Sequence, residues 1–293
     1  MDAILLGELT DILGSMSTNS DTKHEEIKSL LNTIDTNVDS LVANNTAHGS
    51  QTYSIAGSYT WTAPEGVNMV YVVATAGTGG GGGGAGGNGC GKDTNTPLAA
   101  GGGSGGCSQV ITAICGVTPK NSYTIVIGAG GTGGAGGSAS SSGTNGYFGT
   151  AGTAGGAGGQ TKFGSMLIIN GASGGEGGKV GSIANANNDY KGPTAAEVSV
   201  GGAGGLLSTS SLCHVLHTYD AVKGKNCATP ALQTSYYSQA GTAGGAAVRT
   251  ILNRSSGAGG GGGMTASDYS YAPHRTDGTA GSAGSCGYMY IIW

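Results

Sequence analysis

Cys213, His214, His217 and Cys227 lie in one stretch and offer two thiols and two imidazoles, the donor set of a tetrahedral zinc site. Their spacing matches no common zinc pattern, and a Cys–Cys bridge or small buried thiols would explain the cysteines equally well. The six cysteines (Cys90, Cys107, Cys115, Cys213, Cys227 and Cys286) are even in number but widely scattered, which leaves their pairing open. Cys213–Cys227 is the preferred pair among them. Gly102-Gly103-Ser104-Gly105-Gly106 and Gly171-Ala172-Ser173-Gly174-Gly175 have the spacing of a nucleophile elbow, without the strand and helix that such an elbow requires. Gly178-Lys179 lacks the flanking residues of a phosphate loop. Beyond the first 48 residues the carboxylates are few and unclustered, so no acid–base pair is evident. No enzymatic activity, cofactor or metal is expected from these residues.

Tyrosine is the better candidate for chemistry at a surface. Tyr190, Tyr219, Tyr236, Tyr237, Tyr269 and Tyr271, with His274 and Arg275, fall in three glycine-poor insertions, 183–194, 206–239 and 264–277. Tyr among Ser, Gly and Asn is the composition of a paratope, in which rigid amphipathic rings give contact area at low entropic cost. Such rings can stack on sugars or pack against a receptor loop; equally, they can cover a scaffold poor in apolar side chains. Insertions of this length within a compact domain are usually functional.

The scaffold that must hold them is unusual. Glycine supplies 63 of 293 residues, charged residues 10%, and the formal net charge is −4. An ordinary apolar core is not expected over most of this length. Collagen is excluded by 6 prolines and by the lack of a strict third-residue glycine period. No basic excess exists to neutralise phosphates, which argues against a nucleic-acid partner. No apolar run is long enough to span a membrane, and the first residues lack the pattern of a signal peptide.

From residue 51 glycine clusters alternate with short runs rich in Val, Ile, Tyr and Thr, at 58–62, 67–75, 109–114, 123–127, 166–169 and 288–293, which read as strands. Thr62-Ala63-Pro64-Glu65-Gly66 reads as a hairpin turn between the first two. The clusters carry Ala at many other positions, as in Gly133-Gly134-Ala135-Gly136-Gly137, unlike a Ser-rich spacer. The expectation is a mostly β and irregular domain, 51–293, in which extended threefold polyglycine-II-like helices pack side by side and bond to each other. Glycine costs about 0.5–1 kcal/mol per residue in ordered structure and a net hydrogen bond returns about 0.5–1.5 kcal/mol, so such a bundle must be almost fully bonded to exist.

Residues 1–48 contain few glycines and read as helix. Leu5, Leu9, Ile12 and Met16 share one face; Ser17-Thr18-Asn19-Ser20 interrupts, and Thr22 with Glu25 forms a capping box that restarts the helix. Ile27, Leu31, Ile34, Val38 and Leu41 then step as a heptad seam, read as a coiled coil whose β-branched positions favour more than two strands.

The stretch Tyr59-Thr60-Trp61-Thr62-Ala63-Pro64-Glu65-Gly66-Val67, the run Tyr123 to Gly131, Gln160 to Gly164 and the terminal Gly284 to Trp293 stand in an order that resembles the glycine-rich domain of bacteriophage tail fibres and tail-tip receptor-binding proteins. The resemblance covers 58–293; similar domains occur in some animal receptor ectodomains, and the large 206–239 insertion departs from the pattern. It implies a virion tail protein assembled in the host cytoplasm, with a rigid tip whose loops touch a protein or glycan receptor on the bacterial surface. Residues 1–48 would then join another tail protein or form a homotrimer. The alternative is a purely structural collar, decoration or connector protein.

Overall fold

The computed structural model describes residues 3–46, 48–87, 99–139, 149–180, 182–183, 190–191, 207–226, 243–249, 252, 254–258 and 276–293. The chain separates into two compact units, one built on a helix, the other taking in Gly49–Ala63 and Asn68–Trp293. Helix α1 runs Ala3–Thr46. It passes through Ser17–Ser20 without the expected break, since neither glycine nor proline stands there; further along, Thr33 and Thr36 show that hydroxyls fit such a helix by donating to the carbonyls four residues earlier at 2.9 and 2.8 Å.

The second unit is built on two antiparallel sheets. The first orders β1 (Ser50–Tyr53), β14 (Tyr288–Ile292), β3 (Met69–Thr75), β4 (Val110–Gly116) and β11 (Cys213–Tyr219). The second orders β10 (Leu207–Thr209), β7 (Leu167–Ile169), β6 (Thr161–Phe163), β5 (Ser122–Ile127) and β2 (Gly57–Thr62). Two-residue ladders join β8 (Ser182–Ile183) to β9 (Tyr190–Lys191) and β12 (Val248–Arg249) to β13 (Arg254–Ser255).

Strict alternation gives each sheet one buried face. Val70, Val72 and Ala74 of β3 and Met289 and Ile291 of β14 face inward from the first sheet; Ile125, Ile127, Phe163, Leu167 and Ile169 do so from the second. Aromatic rings join the layers: Tyr53 meets Tyr59 at 5.1 Å and Trp61 meets Trp293 at 5.5 Å. Burying each such large side chain is worth about 1.5–3 kcal/mol, so a small apolar core exists, confined to this sandwich.

The expected hairpin at 62–66 does not form. β2 pairs with β5 and β3 with β4, so the turn carries the chain from one sheet to the other. Its place is fixed by a neighbouring crossover, where the Ala63 amide donates to Asn121 and the Lys120 amide to Ala63 at 2.9 and 2.8 Å. Each strand instead forms a long ladder in its own sheet, β2 along six residues of β5 and β3 along seven of β4, and Trp61 and Val70 are both buried.

The glycine tracts all leave the sheets at the opposite end from these turns. Tract 76–87, which follows β3, is surrounded. Every amide from Gly77 to Gly87 donates to a neighbour, and the recipient rotates with a period of three: Gly77, Gly80, Gly83 and Gly86 bond to tract 149–160, Thr78, Gly81, Gly84 and Gly87 to 276–285, and Gly79, Gly82 and Ala85 to 99–106. Its carbonyls accept from the three remaining neighbours, for example from Gly131, Gly175 and Gly257, at 2.9 Å each. The surrounding tracts also bond to one another around the ring, as Gly156 does to Thr132, Gly155 to Gly175, Gly103 to Glu176 and Gly281 to Gly134.

This closeness is what demands glycine. A Cβ on Gly80 would coincide with the Thr132 carbonyl oxygen, and one on Gly83 with that of Ala135. Inside the bundle only small side chains are buried, such as Thr78, Ala85 and Ser104, and longer ones point outward. In tract 170–180 Ala172, Gly175 and Gly178 are buried, while Ser173, Glu176 and Lys179 are exposed.

Candidate functional site

Cys213 is not a metal thiolate and does not pair with Cys227. It forms a disulfide with Cys115, directly opposite it on β4, with Cα atoms 4.2 Å apart. That distance is typical of a narrow antiparallel pair, and both residues are buried. His214 and His217 are exposed and pair with Ile114 and Thr112, which places them on the outer face of the sheet while Cys213 faces inward. Period-two alternation thus divides the proposed ligand set between two faces. Cys227 lies outside the described residues. Among those described, no three of His, Cys, Asp and Glu are grouped to hold a metal, and the Cys107 and Cys286 sulfurs lie against the Ala247 and Ser54 carbonyls.

Ser104, the centre of one elbow-like motif, is wholly buried. Its hydroxyl accepts from the Lys225 amide at 2.7 Å and donates to the Lys225 carbonyl at 3.3 Å. Thr78 is used in the same way, donating to the Ser255 carbonyl at 2.8 Å and accepting from the Ser285 amide at 2.7 Å. In both cases the hydroxyl satisfies backbone groups at the edge of a tract.

The first part of the 206–239 insertion is sheet, not loop. Leu207–Thr209 extends the second sheet beside β7, and Cys213–Tyr219 extends the first beside β4. Tyr219 therefore sits on an outermost strand, 37% exposed, with its ring edge-on to His217 at 4.3 Å. Tyr190 lies on β9, where its backbone pairs with Ile183. Tyr236, Tyr237, Tyr269, Tyr271, His274 and Arg275 lie outside the described residues.

The described flanks of those segments are informative. Residues 227–242 are bracketed by chain lying along tract 99–106, where Lys225 bonds to Ser104 and Gly244 to Gly102. Residues 259–275 start from Ala258, bonded to Ser282, and return at Thr276, whose carbonyl accepts from Gly87 at the far end of the central tract. Residues 88–98 and 140–148 also connect the far ends of tracts, and Ala139 there donates to the Asp277 carboxylate at 2.6 Å. The turns at the other end bound an open groove of about 440 Å³, lined by Asn68, Val117, Tyr123, Met166 and Leu212 and free of charged side chains. Gly49, where the chain enters this unit, lies at that turn end, beside Trp293.

No described helix is long and apolar enough to cross a membrane. Sequence reasoning located the tracts and the strands β2–β5, β7 and β14; it missed β1, β6, β10–β11 and the two-residue β8, β9, β12 and β13, although Cys213-His214-Val215 alternates as a strand should. No curated protein sequence matches the chain. The sequence model of one family, described as the glycine-rich domain, matches residues 52–291. That span takes in both sheets and every tract described above, and the chain belongs to the glycine-rich domain family.

Proposed function

We propose that the protein is a bacteriophage tail-fibre or tail-tip adhesin that binds a protein or glycan on the host surface without catalysis. The observation that carries this reading is polarity. The chain enters the unit at the turn end, whereas Lys225, Gly244, Ala258 and Thr276, which flank the segments bearing Tyr236, Tyr237, Tyr269, Tyr271, His274 and Arg275, bond to the tracts on the other side of the sheets. The period-three bonding of tract 76–87 supports a polyglycine-II-like lattice. A lattice of that kind holds its loops in place, so little ordering entropy is lost when they meet a receptor. Residues 1–48, with Ile27, Leu31, Ile34, Val38 and Leu41 as the seam, serve homotrimer formation and attachment to another tail protein.

Exchange of 227–242 and 259–275 for unrelated sequences of equal length tests the reading. The adhesin loses adsorption to its host cells while the tracts keep their amide protection. Unaltered adsorption combined with failed particle assembly assigns the protein to the structural class of collar or connector.

A further inference from the structure

The two outer faces of the sandwich differ in kind. On the second sheet Lys162 stands at the centre of an outward row, between Val126 and Ile168, and the other outward positions include the hydroxyl-bearing Ser58, Thr60, Thr62, Ser122 and Thr124. On the first sheet no charged residue stands in the two cross-strand rows that run from β1 to β11. Their centre is aromatic and aliphatic, with Tyr71 opposite Ile292 and Tyr290 opposite Val73. Their ends are polar. Ser50 and Thr52 close the β1 edge, and His214 and His217 close the β11 edge. Tyr71 and Tyr290 are diagonal neighbours, about 7–8 Å apart at the backbone in such a ladder, and both remain partly exposed.

We propose that this face is a stacking platform for an uncharged oligosaccharide, separate from the tract-bound loops. A row of sugar rings presents apolar C–H faces and a rim of neutral hydroxyls. The platform presents rings in the middle and hydroxyl and imidazole groups along its edges. A charged partner would lose hydration here without meeting a carboxylate, ammonium or guanidinium group in either row. The proposal does not depend on the adhesin reading, since it involves none of the residues of those loops.

The test titrates the full chain with cellohexaose, maltohexaose and laminarihexaose, following binding by calorimetry and tyrosine ring resonances by NMR. At least one sugar binds saturably and shifts the Tyr71 and Tyr290 rings. Tyr71→Ala and Tyr290→Ala each weaken binding about tenfold, as expected for losing one stacking ring, whereas the Phe variants bind like the parent. Val73→Lys, an outward change that leaves the inner face intact, abolishes binding. Absence of binding by all three sugars overturns the proposal, as do ring shifts confined to other tyrosines. Sedimentation showing that Val73→Lys dissociates an oligomer in the absence of sugar also overturns it, by giving the face to a second copy of the chain.

Discussion

Gly49 and Trp293 exchange both backbone hydrogen bonds, at 2.9 and 3.0 Å, and the Trp293 indole fills the space that a Gly49 Cβ would need. The ladder between β1 and β14 is thereby extended past its formal end, and the indole reaches Trp61 across the layers at 5.5 Å. The first residues of the unit are held by the last ones, at the end of the sandwich farthest from the tracts.

The tracts make a sharp mutational contrast. Gly80→Ala puts a methyl group into the Thr132 carbonyl and should cost about 2–4 kcal/mol through overpacking and lost hydrogen bonds. Gly245→Ala meets nothing within 4 Å and should stay within about 0.5 kcal/mol of the parent. Chemical denaturation of the two variants decides; equal stabilities would show that the ring contacts carry no energy.

Hydrogen exchange should protect all amides from Gly77 to Gly87 alike, because each has a backbone acceptor on a neighbouring tract. Protection reaches that of β3, since opening one tract breaks bonds to several others. Fast exchange there, with slow exchange in the sheets, would mark the tracts as spacers.

Non-reducing peptide mapping should recover Cys115 linked to Cys213. Replacing both by Ser should cost about 2–5 kcal/mol, since the bond closes a loop of long sequence separation. The loss should loosen β11 first, because among the described strands only β4 pairs with it.

Tyr53 gives the protein a pH dependence on the alkaline side. Burial pushes its phenol above the ordinary value of 10.0, and its hydroxyl has no hydrogen-bond partner. The unfolded chain therefore releases this proton first. Stability associated with Tyr53 is complete below pH 10 and declines as pH rises from there through the raised folded value. Tyr53→Phe should remove that part of the decline, and near neutrality it should be neutral or stabilise by up to about 1 kcal/mol, since a buried unpaired hydroxyl is lost.

In α1, Ile27, Leu31 and Ile34 are each more than half exposed, which is costly unless another helix covers them. Leu31→Asp and Ile34→Asp should convert the assembled protein to monomer in sedimentation equilibrium. An unchanged mass would remove these residues from any seam.

Much of this fold was legible because glycine clusters and β-branched runs differ so strongly in composition. What stayed hidden was partnership. Thr62 to Gly66 has the residues of a tight turn whether it joins paired strands or crosses between layers, and only the long-range pairing of β2 with β5 and β3 with β4 decides for the crossing. Cys213 sits nearer in sequence to Cys227, but strand register brings Cys115 opposite. His214 and His217 looked like companions of Cys213 because linear spacing does not reveal which face of a strand a residue takes. The aromatic outer face was invisible for the same reason: Tyr71 and Tyr290 are separated by most of the chain and become neighbours only through the β3–β14 ladder.

The rotating acceptor pattern of the central tract also restricts how related chains can vary in length. Deleting a triplet from one arm removes a single rung and leaves every other amide facing its former recipient, whereas dropping one residue redirects all later donors to the wrong neighbour. Natural indels in these arms should therefore accumulate in multiples of three, with other lengths absorbed where the chain reverses between arms.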